Sequence, residues 1–597
     1  MRHAIVLIIA TIISTAAFAA PSDDSFFDSL RTSNLLITKF ETCNLDGTSG
    51  DNQGTIPVEW RPNGVGNYVQ PPGCTADTLE SAIINASTTA QKKSAIKDFF
   101  AGCGANLGRF HHTNARAMAM FAGTRYAYCD HPRVRRLNLK FDDGTKLGGV
   151  IAIQAPDKNG VDQPRPLVIY KCGVFCEVED SSTKLMVMHM FDQAPFNVIA
   201  VGNNTSANYA ADNNHLAMGG YDDGMQLLRI ARIVRNSPLA KLTTSIHVVG
   251  MSLGGHASLM SSYLNEHNLD AMSFPYYSSA LALCPVVDLK PSISYLFGDS
   301  VRGRVSREVL MRNIAKKKDE SPLLQEVYEK LDNIARISLI PGLLAGYSSD
   351  YYSKRPREWA LPPLDQHPIS TPDSLWTENN FFNYIQTPIH TPTLVFSATT
   401  DWVVTPEANS IKLDRQLARS STNTELNTVL VPNGNHCAFA GVYGFDTISK
   451  LYSGYVMAHS PEMLARKHQV KAEIDGAKIF SGKLALKEGE RFVRATLELT
   501  AKSDLAKMTV EIWGSDGIFD MGCVSLKVYD GRSMCRRIAE AVVPLAELGS
   551  WTKVPSTPAE AEQLTRWANS NLRYVSADGT PMVGTSQTPA ALLWYDY

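Results

Sequence analysis

The chain has 597 residues, enough for two or three modules. Its 57 Lys+Arg against 59 Asp+Glu leave a formal charge of −2, which offers no electrostatic handle to nucleic acid or an anionic membrane. A hydrophobic content of 44% with 19% charged residues is that of a globular protein and excludes a disordered or fibrous one.

Met1-Arg2-His3 precedes a mostly apolar stretch from Ala4 to Ala16, and Ala17-Phe18-Ala19 has the A-x-A form of a cleavage site. Residues 1–19 therefore read as an export signal, and the mature chain as secreted or periplasmic. That run is too short for a membrane span, and no other segment approaches about 18 uncharged apolar residues, so no stable membrane insertion is expected. Residues 20–130 read as a mainly helical region. Thr75 to Phe100 and Ala105 to Tyr126 have helical apolar spacing, and the Gly/Pro/Asn-rich stretch from Thr48 to Gly73 reads as loop.

Strands alternate with helices from residue 131 to 467, which predicts a mainly parallel sheet. Val134 to Phe141 and Leu147 to Ile153 flank Asp142-Asp143-Gly144 and read as a hairpin. Pro166 to Lys171 and Phe196 to Val201 are apolar runs that read as buried strands. Between them lies the loop Cys172-Gly173-Val174-Phe175-Cys176. Asp222 to Arg235 is a periodic helix leading into the β-branched run Ser245 to Val249.

That run enters Gly250-Met251-Ser252-Leu253-Gly254, which is followed by a potential helix from Gly255. Strand, tight turn at a serine and helix form the context that gives G-x-S-x-G its meaning. The two glycines let the backbone cross itself where a Cβ would clash. Chance alone yields roughly 0.2 such matches in a chain this long, so the motif needs partners downstream.

Ala280 to Val287 reads as the next strand and ends at Asp288. Residues 289–388 read as an insertion, with helices over Ser306 to Lys317 and Leu323 to Ile337. Its second half is aromatic, carrying Tyr351, Tyr352, Trp359, Trp376, Phe381 and Phe382. It is either a lid or a subdomain whose aromatics fill their own core. Thr393 to Ala398 reads as a buried strand followed by a loop holding Asp401. Asn427 to Val431 is another strand, ending in the turn Pro432-Asn433-Gly434-Asn435-His436. Leu451 to Lys467 closes the domain as a helix. Residues 468–597 read as a β-rich C-terminal module, with strands over Lys471 to Ile474, Arg491 to Thr500, Met508 to Trp513 and Val524 to Tyr529. A helix is expected over Ala559 to Leu572.

A serine nucleophile needs a base to take its proton and an acid to orient that base. Ser252, Asp401 and His436 stand in the chain order Ser…Asp…His, and on these three motifs residues 133 to 460 resemble the α/β-hydrolase family. The resemblance implies Ser252 as nucleophile, His436 as general base and then acid, and Asp401 as the residue orienting His436. Asp288 is a rival acid, because some members of the family take theirs from that position. His256, His367 and His390 are weaker candidates for the base. The oxyanion hole is expected from the amides of Leu253 and of Gly173 or Val174, although Cys172-Gly173 departs from the His-Gly pair of many relatives. The implied fold is a mainly parallel α/β-hydrolase sheet with a helical insertion, and the implied reaction is cleavage of an ester through an acyl-enzyme, with no cofactor and no metal. The expected partner is a small-molecule or polymeric ester substrate. A serine peptidase remains an alternative, because Ser252-Leu253-Gly254-Gly255 resembles the prolyl oligopeptidase elbow. A non-enzymatic binding protein on the same scaffold is a further one.

Ten cysteines in an exported chain permit disulfides. Neighbouring pairs such as Cys43/Cys74, Cys103/Cys129, Cys172/Cys176 and Cys523/Cys535 are plausible on spacing, which leaves Cys284 and Cys437.

Overall fold

The structure is a computed structural model that describes residues 23–40, 73–107, 128, 131–157, 159–267, 276–354, 371–420 and 423–460, with several strands beyond. The expected export signal and the helical reading of 108–126 and 559–572 lie outside the described residues.

Nine strands form one sheet: β1 (Leu35–Thr38), β2 (Val134–Lys140), β3 (Lys146–Ala152), β4 (Arg165–Lys171), β5 (Asn197–Val201), β6 (Thr243–Met251), β7 (Ser279–Leu283), β8 (Thr393–Ala398) and β9 (Leu426–Val431). Their spatial order is β1-β2-β3-β5-β4-β6-β7-β8-β9. β1, β2, β3 and β5 pair antiparallel in turn, and every pair from β5 to β9 is parallel. Strand order reverses at β4, which lies between β5 and β6. In open α/β sheets the crevice beyond the carboxyl ends of strands at such a reversal is where ligands bind.

Alternation along the buried strands explains the layering. Leu167 and Ile169 of β4 face one side of the sheet, and Val168 and Tyr170 face the other. The first side is covered by the helices Gly220–Arg235 and Leu253–His267. The second is covered by Ala76–Asn85, Thr89–Leu107, Ser181–Phe191 and Phe445–Ala458. Gly220–Arg235 carries Asp222 and Asp223 in its first turn and Arg232 and Arg235 in its last, charges placed to oppose the helix dipole. Among the described residues no helix is long and apolar enough to cross a membrane.

Two features differ from the sequence reading. The region read as mainly helical also contributes β1, which pairs with β2. β1 has only four residues, so its alternation of buried Leu35 and Ile37 is too short to stand out. Cysteine pairing also differs. Cys74 bonds to Cys103 and Cys284 to Cys437, while Cys172 and Cys176 are free and buried. Spacing misleads here because pairing follows tertiary proximity, and the Cα atoms of the two bonded pairs are 5.4 and 5.5 Å apart. In the C-terminal strands, Cys523 of Ile518–Lys527 lies opposite Arg537, and Cys535 of Ser533–Ala541 lies opposite Ser525.

The insertion contains the helices Leu289–Leu296, Val301–Ala315, Pro322–Asp332, Ile340–Ser353 and Pro372–Glu378. Leu310, Ile314, Leu324, Leu331, Leu344 and Trp376 build a core of its own, which also takes in Phe175, Leu253 and Val404. Its remaining aromatics mostly fill cores: Phe381 and Phe382 join the main one, and Tyr351 and Tyr352 pack against it. Trp359 lies outside the described residues. The C-terminal module contains an antiparallel pair, His468–Ile474 with Ala477–Leu484, and a four-stranded antiparallel sheet, Phe492–Glu498, Lys507–Ser515, Ile518–Lys527 and Ser533–Ala541. Two of these strands, Ala477–Leu484 and Ser533–Ala541, were not evident from sequence.

Three buried titratable groups give stability a two-sided pH dependence. Glu378 accepts a hydrogen bond from Tyr384 Oη at 2.9 Å, and burial pushes its carboxyl up to about 8 from an ordinary 4.5. The folded chain thus keeps a proton that the unfolded chain releases, and this contribution to stability is lost as pH rises from 4.5 through 8. Burial pushes His189 and His256 down to about 3 from an ordinary 6.5. Their contribution has the opposite sign and is lost as pH falls below 6.5. Each group acts with a slope of up to about 1.4 kcal/mol per pH unit. Glu378→Gln stays neutral at every pH, so its Tm relative to the parent should climb steadily from pH 5 to pH 8. A Tm difference that is flat over that range contradicts the assignment.

Candidate active site

Ser252 sits between β6 and the helix Leu253–His267 with φ 58°, in the left-handed region that a serine adopts only when its surroundings enforce it. A Cβ on Gly250 would lie 1.9 Å from the carbonyl oxygen of Gly254, so the chain can cross itself only with glycine there. The serine amide donates to Leu283 O at 2.9 Å, and its carbonyl accepts from His256 at 3.1 Å and Val286 at 3.3 Å. The elbow is thereby locked to the end of β7 and its following loop.

His436 leaves β9 through a tight loop. Tyr443 Oη accepts from Asn433 N and donates to Asn433 O, and Gly434 O accepts from Ala438 N. Its Nε2 lies 2.9 Å from Ser252 Oγ, and its Nδ1 lies 2.8 Å from Asp401 Oδ2. The other Asp401 oxygen accepts the amides of Val403 and Val404 at 2.9 and 2.8 Å. Three side chains from three loops thus form one hydrogen-bonded line. Asp401 has a side chain only 1% exposed, so its charge acts on the imidazole with little solvent screening.

The other candidates lie elsewhere. Asp288 precedes the helix Leu289–Leu296, where its own amide and that of Val287 donate to Asn409 Oδ1. It is half-buried, and burial raises its carboxyl above the usual range. His256 is fully buried with both ring nitrogens unpartnered, so it is no base. His367 lies outside the described residues, and His390 precedes β8.

Leu253 follows the serine directly, and Gly173 lies against it. A Cβ on Gly173 would come within 3.1 Å of Ser252 Cβ, so this glycine permits the close approach of the loop. The amide of Phe175 is taken by Thr205 Oγ1 at 2.7 Å and that of Cys176 by Gly173 O at 3.2 Å. Among the described residues the amides of Gly173 and Val174 donate to no backbone acceptor outside helices and strands.

Sequence reasoning missed what holds this loop. Lys171, the last residue of β4, is fully buried and forms a 2.7 Å ion pair with Asp223. Its ammonium also donates to Asn204 and Gln226 at 3.2 and 3.1 Å. Asn203 donates to Cys172 O and to Asp223, and Thr205 donates to Asn203. Burial pushes the Asp223 carboxyl up to about 6 despite its lysine partner. Removing one partner of such a pair typically costs about 3–5 kcal/mol, because the other is left charged and unpaired. The available signal was a lysine ending an apolar strand and the polar run Asn203-Asn204-Thr205-Ser206 ending another.

One described group of side chains has the spacing of metal ligands: Cys284, His436 and Cys437. Its two sulfurs are bonded to each other and its imidazole is committed to Ser252 and Asp401, so it offers no thiolate and no uncommitted ring nitrogen.

No protein-family model matches the chain, and no curated protein matches it either. Similar solved structures include an esterase from Pyrococcus furiosus, at 11% identity over 54% of this chain and 93% of that one, with a TM-score of 0.30. A rice cell wall degrading esterase, LipA from Xanthomonas oryzae, matches at 15% identity over 57% of this chain and 92% of that one, with a TM-score of 0.32. Oligopeptidase B from Leishmania major matches at 15% identity over 55% of this chain and 36% of that one, with a TM-score of 0.33. The strand order, the serine elbow after β6 and the loops after β8 and β9 that carry Asp401 and His436 make this the α/β-hydrolase fold.

Proposed function

We propose that the chain is an exported serine hydrolase that cleaves carboxylic esters. The observation that carries this is the continuous line Ser252 Oγ, His436 Nε2 and Nδ1, Asp401 Oδ2, with contacts of 2.9 and 2.8 Å. Ser252 Oγ attacks the acyl carbon as His436 takes its proton, and Asp401 holds the ring and stabilises its cation. The amides of Leu253 and of Gly173 or Val174 stabilise the oxyanion, aided by the helix N-terminus behind the serine. Collapse expels the alcohol with the proton from His436. Water, activated by the same imidazole, then releases the acid and restores Ser252.

Ester rather than amide cleavage rests on two arguments. An alkoxide leaves with little help, whereas an amine must be protonated at a well-held geometry, and peptidases add charged groups that anchor the peptide. The insertion's apolar core reaches the elbow and two flanking loops through Leu253, Phe175 and Val404, with Val174 and Val403 packed against it, and no charged anchor for a peptide terminus stands out beside these motifs. Export is supported by the leader-like residues 1–19 and by two disulfides among the described residues.

The test is kcat/KM on acyl esters of graded chain length beside peptide amides. Short or medium esters should be turned over far faster than any amide. A peptide amide cleaved more efficiently than every ester would overturn the ester assignment and favour a peptidase.

A further inference from the structure

Cys437 directly follows His436, and Cys284 directly follows β7. The sulfurs are bonded, and the Cα atoms lie 5.5 Å apart. Leu283, just before Cys284, accepts the amide of Ser252, and Val286, two residues after it, donates to the carbonyl of Ser252. The amide of Cys284 donates to Phe396 O of β8 at 2.8 Å, and β8 leads into the Asp401 loop. Cys284 is therefore fixed in the frame that holds the nucleophile, while Cys437 is fixed in the frame that holds the base. Backbone strain gathers at the same place: Ser252, Cys284, Asn435 and Cys437 all have positive φ, from 40° to 59°. Apart from the bonds of the His436 ring itself, the loop carrying it rests on its own turn, on Tyr443 and on Phe439, whose ring packs against Phe396 of β8.

We propose that the Cys284–Cys437 disulfide is a positioning device that sets the distance between His436 and Ser252. This rests on the serine hydrolase reading above. The oxygen-to-nitrogen contact of 2.9 Å must be held for proton transfer, and a misplacement of about 1 Å can cost on the order of 10² in rate. The bond crosses from β7 to the loop after β9, bridging a sequence separation of 153 that no local turn could span. Cys74–Cys103 ties the segment before Ala76–Asn85 to the helix Thr89–Leu107 and bridges neither the elbow nor the His436 loop, so it serves as the control.

The experiment compares C284A/C437A with C74A/C103A and the parent at a temperature where near-ultraviolet circular dichroism shows all three folded. It reads kcat and KM on one ester, the rate of fluorophosphonate labelling at Ser252, and Tm. The clamp variant should lose about 10–100-fold in kcat and in labelling rate with KM within about twofold, because binding is kept and proton transfer is not. The control should lower Tm and leave both rates unchanged. If the clamp variant does not fold, folded C74A/C103A protein is treated with a dithiol. The dithiol supplies two electrons and two protons, leaves two thiols and closes its own disulfide. Once mass spectrometry shows Cys284 and Cys437 as thiols, the same fall should appear and should reverse on reoxidation. Unchanged labelling in the clamp variant or the reduced protein, or equal falls in clamp and control variants, overturns the clamp alone. A parent chain that neither labels nor cleaves any ester overturns the serine hydrolase reading and the clamp with it.

Discussion

Ser252→Ala should abolish fluorophosphonate labelling and lower kcat by about 10⁶, the loss seen when a triad nucleophile is removed. Its hydroxyl is the one group at the elbow with a base in hydrogen-bonding range, His436 Nε2 at 2.9 Å. The substitution keeps a Cβ in the left-handed turn and leaves the backbone contacts with Leu283, His256 and Val286 intact, so the fold should survive. What remains is the rate enhancement from binding and the oxyanion hole, about 10³–10⁴ over water. Equal labelling of parent and variant would sink the assignment of Ser252. A parent that labels nowhere would favour a binding protein built on this scaffold.

Asp401→Asn should lower kcat by about 10³–10⁴ with little change in KM. An asparagine oxygen can still accept the amides of Val403 and Val404, so the loop keeps its shape. Its amide nitrogen then faces His436 Nδ1 and makes that nitrogen an acceptor. The proton moves to Nε2, the atom that must be bare to receive the serine proton. Asp288→Asn should change kcat far less, since His436 Nδ1 is bonded to Asp401 and the Asp288 side chain lies half-buried at the start of the helix Leu289–Leu296. Reversed effects would move the acid to Asp288.

Much of this arrangement was written locally. The apolar runs at Leu167 to Tyr170, Val248 to Val249 and Leu394 to Phe396 announce buried parallel strands, and β8 occupies the stretch expected of it. Gly250 and Gly254 announce the crossing, because no other residue fits it. Other features were illegible because they depend on residues distant in the chain. β1 has four residues and gains its meaning only by pairing with β2. The choice of Cys74 for Cys103 depends on how the segment before one helix meets the next helix, not on spacing. Lys171 in an apolar strand looks like a strand end until Asp223, Asn204 and Gln226 close around it.

The insertion reaches further into the site than its place in the chain suggests. Its core is shared with Phe175 from the loop after β4, Leu253 from the elbow and Val404 from the acid loop. It thus acts less as a hinged cover than as a keystone wedged among three arms of the site. Strand pairing brings Ser252, Asp401 and His436 to the same rim, and the insertion then braces the elbow and the acid loop, while the loop bearing His436 is held by its own turn and by Cys437. A nick within the insertion should therefore slow fluorophosphonate labelling at Ser252 although Ser252, Asp401 and His436 are all left unaltered.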